Sequence, residues 1–457
     1  MWLVSKLSLA AIVSYGVESL GQTITLGFVG HYFQEQEIGA VIVAICFLYM
    51  FLLFPGIGAL FAMDTLVARY YGNDPTTDRI GEVLQRALCI NVIYTAVVAI
   101  VVWTVVPSCV SFLAHPELAP LTSLWLMYCP IYILGTLTSR ALTKYFINQH
   151  LTQYPPVAAA IGQVSSVLLH MWLVPKLGLV GSALAFGLCT FVQACVLAIM
   201  AYWVDQTRVA FGRWDLKRAM RYDGLKEYLI LGFHSSLYIA GEVGIHDVTA
   251  IILGHVGAKP AAAWGILHSL YILVIDCACG LSAGGCAFVG SRLGAHQPKS
   301  AKVFAWATII SSFLFAVTAA TLLFVFQNQV FRVFAESRAI HAVAQPVFGT
   351  FAVFLVLDVL EVVFQGIFSA MGRNDIGALI MFATLWGVGF PLMLYWCLFS
   401  VPHNPQHTTL AEDTGALFGL IHALQVALVL NVPLASWYVI HKTDWSLLTG
   451  TSMSASP

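Results

Sequence analysis

The sequence predicts an all-α polytopic membrane protein, with twelve transmembrane helices in two pseudo-symmetric six-helix lobes around a central cavity. The first observation is composition: of 457 residues, 59% are hydrophobic and only 9% are charged. A soluble domain carries about 25% charged residues, so this chain has too little polar surface to coat a globule in water. The second is that apolar stretches of about 20 residues recur along the chain, each long enough to span a bilayer as a helix. A membrane barrel would instead show alternating segments of about ten residues.

Breaks at proline, glycine and clustered charge divide the chain into twelve apolar segments. In the first half these are 3–30, 38–63, 82–106, 120–147, 155–175 and 178–203. In the second half they are 225–253, 262–291, 300–327, 345–371, 374–400 and 412–440. The longest polar stretch lies between the halves, which predicts a first lobe at 1–203, a cytoplasmic linker at 204–224, a second lobe at 225–440 and a cytoplasmic tail at 441–457.

Basic residues favour one orientation of these segments. With twelve spans, both termini share one side of the membrane, and 17 of the 21 Lys and Arg residues fall on that side. The other four are Lys176, Lys259, Arg332 and Arg338. Because cytoplasmic loops carry the excess of basic residues, both termini are expected in the cytoplasm. The sequence leaves open whether the membrane is the plasma membrane or that of an acidic organelle.

The two halves share a weak internal repeat, the third observation behind the fold class. One constant offset in residue number pairs Gly72 with Gly294 at the ends of helices two and eight. The same offset pairs Phe146 with Phe368 at the ends of helices four and ten. Parallel repeats of six helices imply two lobes related by an axis along the membrane normal. This architecture suits alternating access to a cavity between the lobes.

Acidic residues deep in apolar helices are the strongest functional signal, because a charge at the bilayer centre costs about 2.5–3.5 kcal/mol on insertion scales. They are Glu18, Glu242, Asp247, Asp276, Asp358 and Glu361. Asp358 and Glu361 are three residues apart and project from one helical face. Glu242 and Asp247 are about 140° apart around their helix, so only one of them faces a given cavity, and we favour the deeper Glu242.

These carboxyls suggest a mechanism for exchange. A carboxyl in a low-dielectric cavity holds its proton more tightly than in water, and the same group binds an organic cation when ionised. Competition of proton and cation for one site is the chemistry of antiport. Polar and aromatic residues that could add substrate contacts are Tyr238, Tyr271, Trp264, Gln365 and Gln22. Ordinary helix packing by these side chains is the alternative interpretation.

Several motifs together resemble the multidrug and toxic compound extrusion (MATE) family. The clearest is AMDTLVARYYGND followed by GEVLQRA, which carries Asp64, Thr65, Gly72, Gln85 and Arg86. KYFINQ, LGLVGSALA, GEVG, GLSAGGCAFVGSRLGA and AMGRNDIGA follow in the family's order. The resemblance implies a twelve-helix exporter of organic cations and drugs, driven by protons or sodium. In eukaryotic-type members the coupling acids are glutamates on helices seven and ten.

The resemblance assigns those coupling positions to particular residues here. Glu242 matches the helix-seven glutamate through GEVG, and Asp358 stands where the family usually has glutamate, with Glu361 one turn later. Many prokaryotic members carry an aspartate near the end of helix one, where this chain has Thr25. That departure weakens a cation site in the first lobe, although Glu18 lies nearby on the same helix.

The sequence therefore predicts a secondary active antiporter that exports organic cations, drugs or metabolites in exchange for protons. Sodium coupling and a flippase for lipid-linked oligosaccharides remain alternatives; the flippase would favour basic cavity residues rather than acids. No HExxH or GxSxG motif indicates an enzyme. We expect no cofactor and no bound metal beyond the coupling ion, and no nucleic-acid partner, since the net charge is −1. The expected partners are the lipid bilayer and small cationic substrates, and the expected state is a monomer.

Overall fold

The structure, a computed structural model, describes residues 2–113, 117–204, 211, 214–329, 338–399 and 409–449. Throughout this part of the chain the regular structure is helical. Helices of the first half are α1 (Trp2–Tyr32), α2 (Gln36–Asn73), α3 (Arg79–Thr104), α4 (Ala119–Leu126 and Cys129–Ile147), and α5 and α6, which together form Tyr154–Trp203. Helices of the second half are α7 (Tyr222–Val256), α8 (Ala258–Gly294), α9 (Pro298–Val325), α10 (Ile340–Met371), α11 (Asn374–Cys397) and α12 (Leu410–Lys442).

The predicted count of twelve membrane crossings agrees with these helices. Within the described residues, nine continuous helices are long and apolar enough to span a bilayer, and α4 adds a tenth that is bent by 44°. Tyr154–Trp203 is 50 residues long, or about 75 Å at 1.5 Å per residue, which is more than twice the thickness of a hydrocarbon core. It breaks at Gly178, where φ is 61° and ψ is −136°. Counting the two parts of this segment as two crossings brings the total to eleven, and α1, which carries Glu18, is the twelfth.

Gly178 makes the reversal between α5 and α6 possible. Its positive φ is open to glycine and strained for other residues, while a Cβ added there would meet nothing within 4 Å. We expect Gly178→Ala to cost about 1–3 kcal/mol through backbone strain alone, seen as a lower thermal midpoint of the purified protein. Gly27→Ala in α1 is the matched control, because it is helical and also has open space. Equal midpoints for both variants would contradict this account of the break.

Each half of the chain has its own hydrophobic core. One buried cluster runs from Val29 to Ala201, and the other from Tyr238 to Trp445. Tyr228 and Ile239 of α7 also pack into the core of the first half. We call α1–α6 the N-lobe and α7–α12 the C-lobe.

The predicted linker and tail are described only in part. Of the linker at 204–224, the structure describes a short helix, Leu216–Ala219. Residues 205–210 and 212–213 of the linker lie outside the described residues, and so do Arg332 and the end of the predicted tail, at 450–457.

The internal repeat appears directly in the contact between α2 and α8. A Cβ on Gly72 would overlap the backbone carbonyl of Ser291, and a Cβ on Gly294 would overlap the carbonyl of Arg69. Arg69 and Ser291 are separated by the same offset in residue number as the two glycines. The two contacts are therefore equivalents under the pseudo-two-fold relation between the lobes.

The pseudo-two-fold axis passes close to a third pair with this offset. Ala68 and Gly290 are separated by it as well, and they touch each other: a Cβ on Gly290 would lie 2.6 Å from the Cβ of Ala68. Residues that are equivalent by symmetry and in mutual contact must lie near the axis. Small residues at this crossing allow the two helix backbones to approach closely.

Helix α2 extends further than its predicted end at residue 63. A π-helical turn at Leu48–Leu53 and a break at Leu60 divide it, but the final part, Phe61–Asn73, continues for 13 residues. Asp64, one residue beyond that predicted end, therefore lies inside the helix. The glycine and proline residues of Phe54–Ala59 follow directly after the π-helical turn, where the i−4 hydrogen-bond pattern is already disrupted.

Candidate functional site

Three of the predicted acids meet inside the C-lobe. Glu242 on α7 and Asp358 and Glu361 on α10 are all buried. The amide of Gln365 donates to Glu242 Oε2 at 3.1 Å, and Glu361 lies close enough to both other carboxyls to interact with them. We call these four residues the C-lobe acid cluster. The 3-4 spacing of the α10 members places them on one helical face, and that face points to α7.

Carboxyl oxygens in this cluster are short of partners. Among the described residues, Asp358 Oδ2 and both carboxyl oxygens of Glu361 have no hydrogen bond of ordinary length. A buried polar group without a partner costs about 1–3 kcal/mol, and more if it is charged. Adjacent buried carboxyls also oppose each other's ionisation. The arrangement is therefore suited to holding protons and to releasing them when a positive charge arrives.

An aromatic wall of Tyr238, Tyr271 and His246 lies beside the acids, and substrate contact by the two tyrosines stays a prediction. Tyr238 lies beside Glu361, and the hydroxyl of Tyr271 is 3.1 Å from His246 Nε2. His246 Nε2 is in turn 3.8 Å from Asp358 Oδ1. The sequence analysis missed His246, although it lies four residues after Glu242 on α7 and so shares its face. That spacing is the signal that would have found it.

Trp264 and His268 form the outer layer of this wall. The ring of His268 stacks on Tyr271 at 5.4 Å, and Trp264 packs on His268 with a centroid distance of 5.7 Å. Trp264 is thus part of the C-lobe core, and His268 separates its ring from that of Tyr271. The ring contact of Trp264 is with His268, and not with the acids.

The predicted acids Glu18 and Asp276 belong to a second group between the lobes. Glu18 Oε1 on α1 accepts a hydrogen bond of 2.6 Å from Gln193 Nε2 on α6. Arg140 Nη2 on α4 lies 3.9 Å from Glu18 Oε2. Asp276 on α8 interacts with both Arg140 and Glu18. We call Glu18, Arg140, Gln193 and Asp276 the inter-lobe charge cluster.

Two further predicted residues, Asp247 and Gln22, lie outside both clusters. Asp247 is half-buried on α7 and lies near Cys46 of α2, so it faces the N-lobe while Glu242 faces α10. The angular separation predicted for the two α7 acids accounts for this. Gln22 is half-buried on α1, one turn beyond Glu18.

The motif residues of α2 fasten that helix to its neighbours. The carboxylate of Asp64 pairs with the ammonium of Lys144 and accepts a bond of 2.9 Å from Asn148 Nδ2, both on or next to α4. Thr65 Oγ1 donates to the carbonyl of Ser369 at 2.5 Å, which links α2 to α10. Gly72 forms the close crossing with α8 described above. Asp64 thus stabilises packing within the N-lobe, whereas Thr65 and Gly72 stabilise packing between the lobes.

The motif residues of α3 hold the segment that connects the lobes. Arg86 Nε donates to the carbonyl of Ala219 at 2.8 Å, and Gln85 Oε1 accepts from the backbone N–H of Asp215 at 3.0 Å. Arg218 adds an ion pair of 2.6 Å to Glu82. The short helix of the linker is thereby tied to the N-lobe.

The lobes touch at the end where α2 and α10 finish. Arg69 Nη2 donates to the carbonyl of Met371 at 2.6 Å, and Ser369 Oγ donates to the carbonyl of Phe61 at 3.2 Å. Together with the Thr65 bond, these contacts join the two lobes where α2 and α10 finish.

The buried pair Asp64–Lys144 is expected to be important for stability. Both side chains are about 5% exposed, so Asp64→Asn would leave a buried ammonium without its counter-charge, at a cost of about 3–5 kcal/mol. The measurement is the thermal midpoint in detergent. Asp64→Leu with Lys144→Met, which removes both charges, should recover much of the loss.

Arg373→Gln is the control, because its pair with Asp375 is 41–42% exposed and such pairs contribute less than about 1 kcal/mol. A midpoint for Asp64→Asn like that of Arg373→Gln would contradict this role.

Comparison with known proteins gives the same architecture. Residues 10–172 and 237–395 match the MatE family. Multidrug and toxin extrusion protein 1 of Mus musculus is 26% identical over 372 residues, covering 80% of this chain and 64% of the relative. Multidrug and toxin extrusion protein 2 of Pongo abelii is 23% identical over 412 residues, covering 86% and 69%. The match thus spans just under two thirds of the mouse protein's length.

Solved structures show the fold independently of sequence. The crystal structure of the eukaryotic MATE transporter AtDTX14 superposes with a TM-score of 0.88 at 18% identity, covering 98% of this chain and 97% of that one. An outward-facing multidrug resistance MATE transporter of the MOP superfamily gives a TM-score of 0.81 at 16% identity, covering 98% and 96%. The family match covers more than half of the chain, in both lobes. This chain therefore belongs to the MATE family of multi-pass membrane transporters.

Proposed function

We propose that this protein is a secondary active antiporter that exports small organic cations, drugs or metabolites in exchange for protons. The observation that carries the proposal is the C-lobe acid cluster. Glu242, Asp358 and Glu361 come from two helices to one buried place, and oxygens of Asp358 and Glu361 have no hydrogen bond of ordinary length among the described residues. Such a costly arrangement has no purpose in a purely structural core, where apolar residues of similar size would pack better.

The exchange follows from competition for this negative site. With the site protonated, the carboxyls are neutral and a cation gains little by approaching them. When protons leave, the carboxylates attract a cation through a low-dielectric medium, where the interaction is stronger than in water. Tyr238 and Tyr271 supply aromatic faces for bulky cations. One site that is occupied by either proton or cargo, and exposed alternately by movement of the lobes, exchanges one for the other.

Protons are favoured over sodium as the coupling ion by the neighbours of the acids. Sodium, like other hard cations, is held by several converging oxygen ligands, whereas Asp358 faces the imidazole of His246 at 3.8 Å. Carboxyl, phenol and imidazole groups within reach of one another suit proton sharing. The multidrug and toxin extrusion names of the relatives support organic cations and drugs as cargo.

The orientation and setting complete the proposal. Twelve crossings with most basic residues on one side support a cytoplasmic location for both termini, and the end of the bundle where Arg69 contacts Met371 would then face the cytoplasm. The protein would then work as a monomer with one cavity between its lobes, in the plasma membrane or the membrane of an acidic organelle.

The test is efflux of a fluorescent organic cation from proteoliposomes that contain the purified protein. We expect efflux when an inward-directed pH gradient is imposed, and its loss when nigericin collapses that gradient. The same vesicles are then tested with a sodium gradient at equal pH on both sides. Efflux under sodium alone would replace the proton with sodium in the proposal. No efflux under either gradient would contradict the antiport proposal.

A further inference from the structure

The inter-lobe charge cluster contains an arginine whose donors are largely unused. Arg140 Nη2 is 3.9 Å from Glu18 Oε2, which is beyond hydrogen-bond distance. Its Nε is buried and has no hydrogen-bond partner among the described residues. Glu18 instead accepts its short bond of 2.6 Å from Gln193. A structural ion pair of arginine and carboxylate normally closes with two parallel bonds of about 2.7–2.9 Å, so this pair is open.

Besides Glu18 and Asp276, the neighbours of the guanidinium are aromatic hydroxyls. Arg140 lies 5.8 Å from the ring centroid of Tyr15. Tyr49 and Tyr132 share a hydrogen bond of 2.7 Å between their hydroxyls, and both are near enough to Arg140 to interact with its charge. The side chain of Arg140 is 27% exposed, so it is only partly desolvated. A planar donor in such a setting binds a carboxylate well.

The cluster also joins the two lobes. Glu18 and Arg140 come from α1 and α4 of the N-lobe, and Asp276 comes from α8 of the C-lobe, yet all three interact. The cluster contains two acidic groups, Glu18 and Asp276, and one basic group, Arg140. A lone organic anion is repelled by the two carboxylates, and a lone cation leaves the arginine donors unused. A molecule with both charges satisfies each group.

We propose that the inter-lobe charge cluster is a binding site for zwitterionic cargo, with the carboxylate of the cargo on Arg140 and its cationic group between Glu18 and Asp276. This inference rests on the proposed export function and names a substrate class for it. The site is separate from the C-lobe acid cluster, which supplies the coupling. A cation that lacks the carboxylate still uses Glu18 and Asp276, so the arginine determines preference between cargoes rather than transport itself.

The test uses two probes of nearly equal shape that differ in one charge. N-methylnicotinamide is a pyridinium cation with an amide, and trigonelline is the same ring with a carboxylate. Counterflow of each radiolabelled probe is measured in proteoliposomes without a pH gradient, so that coupling does not enter. We expect the wild type to exchange both, and Arg140→Gln to lower the trigonelline to N-methylnicotinamide ratio about ten-fold or more, as loss of a charged hydrogen-bond pair implies. Arg140→Lys, which keeps the charge without the fork, should give an intermediate ratio.

A paired variant keeps the result interpretable if Arg140→Gln folds poorly. Glu18→Gln with Arg140→Gln removes both members of the ion pair, so that Glu18 is not left as an unpaired carboxylate, and it should show the same fall in the ratio. Equal losses for the two probes in both variants would make Arg140 a structural residue and overturn the inference. A wild type that exchanges the cation but not the zwitterion would overturn the inference alone. Exchange of neither probe would overturn the proposed function with it.

Discussion

Glu242→Gln and Asp358→Asn are each expected to reduce proton-driven efflux of a fluorescent cation to the background of empty vesicles. Each substitution keeps the size of the side chain and removes its ability to carry a negative charge. Both residues are buried in the C-lobe acid cluster, where a proton and a cation would compete for the carboxylate. Each variant removes one of the three carboxyls at which proton and cation would compete, and we expect the remaining two not to support exchange. The measurement is the initial efflux rate under an imposed pH gradient, at equal amounts of reconstituted protein.

Asp223→Asn is the matched control for these variants. Asp223 is an exposed acid in the first turn of the same helix, α7, so this substitution removes a similar charge outside the cluster and should leave efflux at the wild-type rate. Counterflow without a pH gradient separates the roles further, since a residue that acts only in coupling affects driven efflux more than exchange. Full driven efflux in both Glu242→Gln and Asp358→Asn would remove the coupling assignment.

The second large effect is expected at the crossing of α2 and α8. Gly72→Ala and Gly294→Ala each place a methyl group where it would overlap a backbone carbonyl, of Ser291 and Arg69 respectively. A carbonyl in a helix cannot rotate away as a side chain does, so the two helices must separate. Overpacking of this kind costs about 1–3 kcal/mol. We therefore expect a lower thermal midpoint for each variant, and a lower transport rate because α2 and α8 form a contact between the lobes.

The internal symmetry makes this prediction stricter. Gly72 and Gly294 occupy equivalent positions, so their alanine variants should show closely similar losses. Gly415→Ala in α12 is the control, because a Cβ there meets nothing within 4 Å, and alanine has the better helix propensity. Its transport and midpoint should match or exceed the wild type. A tolerated Gly72→Ala beside a damaging Gly294→Ala would show that the crossing is not symmetric in energy.

Much of this protein can be predicted from its sequence because the membrane imposes strict rules. Every spanning backbone must satisfy its hydrogen bonds within itself, so long apolar stretches become helices, and the predicted limits at 175 and 178 enclose the observed break near Gly178. The cost of buried charge then selects six acids without any structure, Glu242, Asp358 and Glu361 among them. The constant offset between the halves predicted the pairing of lobes that the α2–α8 contact shows.

The sequence by itself determined the helices, their number, the two related halves and the acids that are too costly for ordinary packing. Tertiary structure alone decided which faces meet: that His246 approaches Asp358, that Lys144 pairs with Asp64, and that Arg140, counted among the basic residues of one side, lies inside α4 opposite Glu18. The physical reason is that sequence patterns report local structure, whereas contacts between helices are long-range. Periodicity along a chain fixes which residues share a face of one helix, but contacts between helices depend on packing over the whole bundle, to which distant segments contribute together.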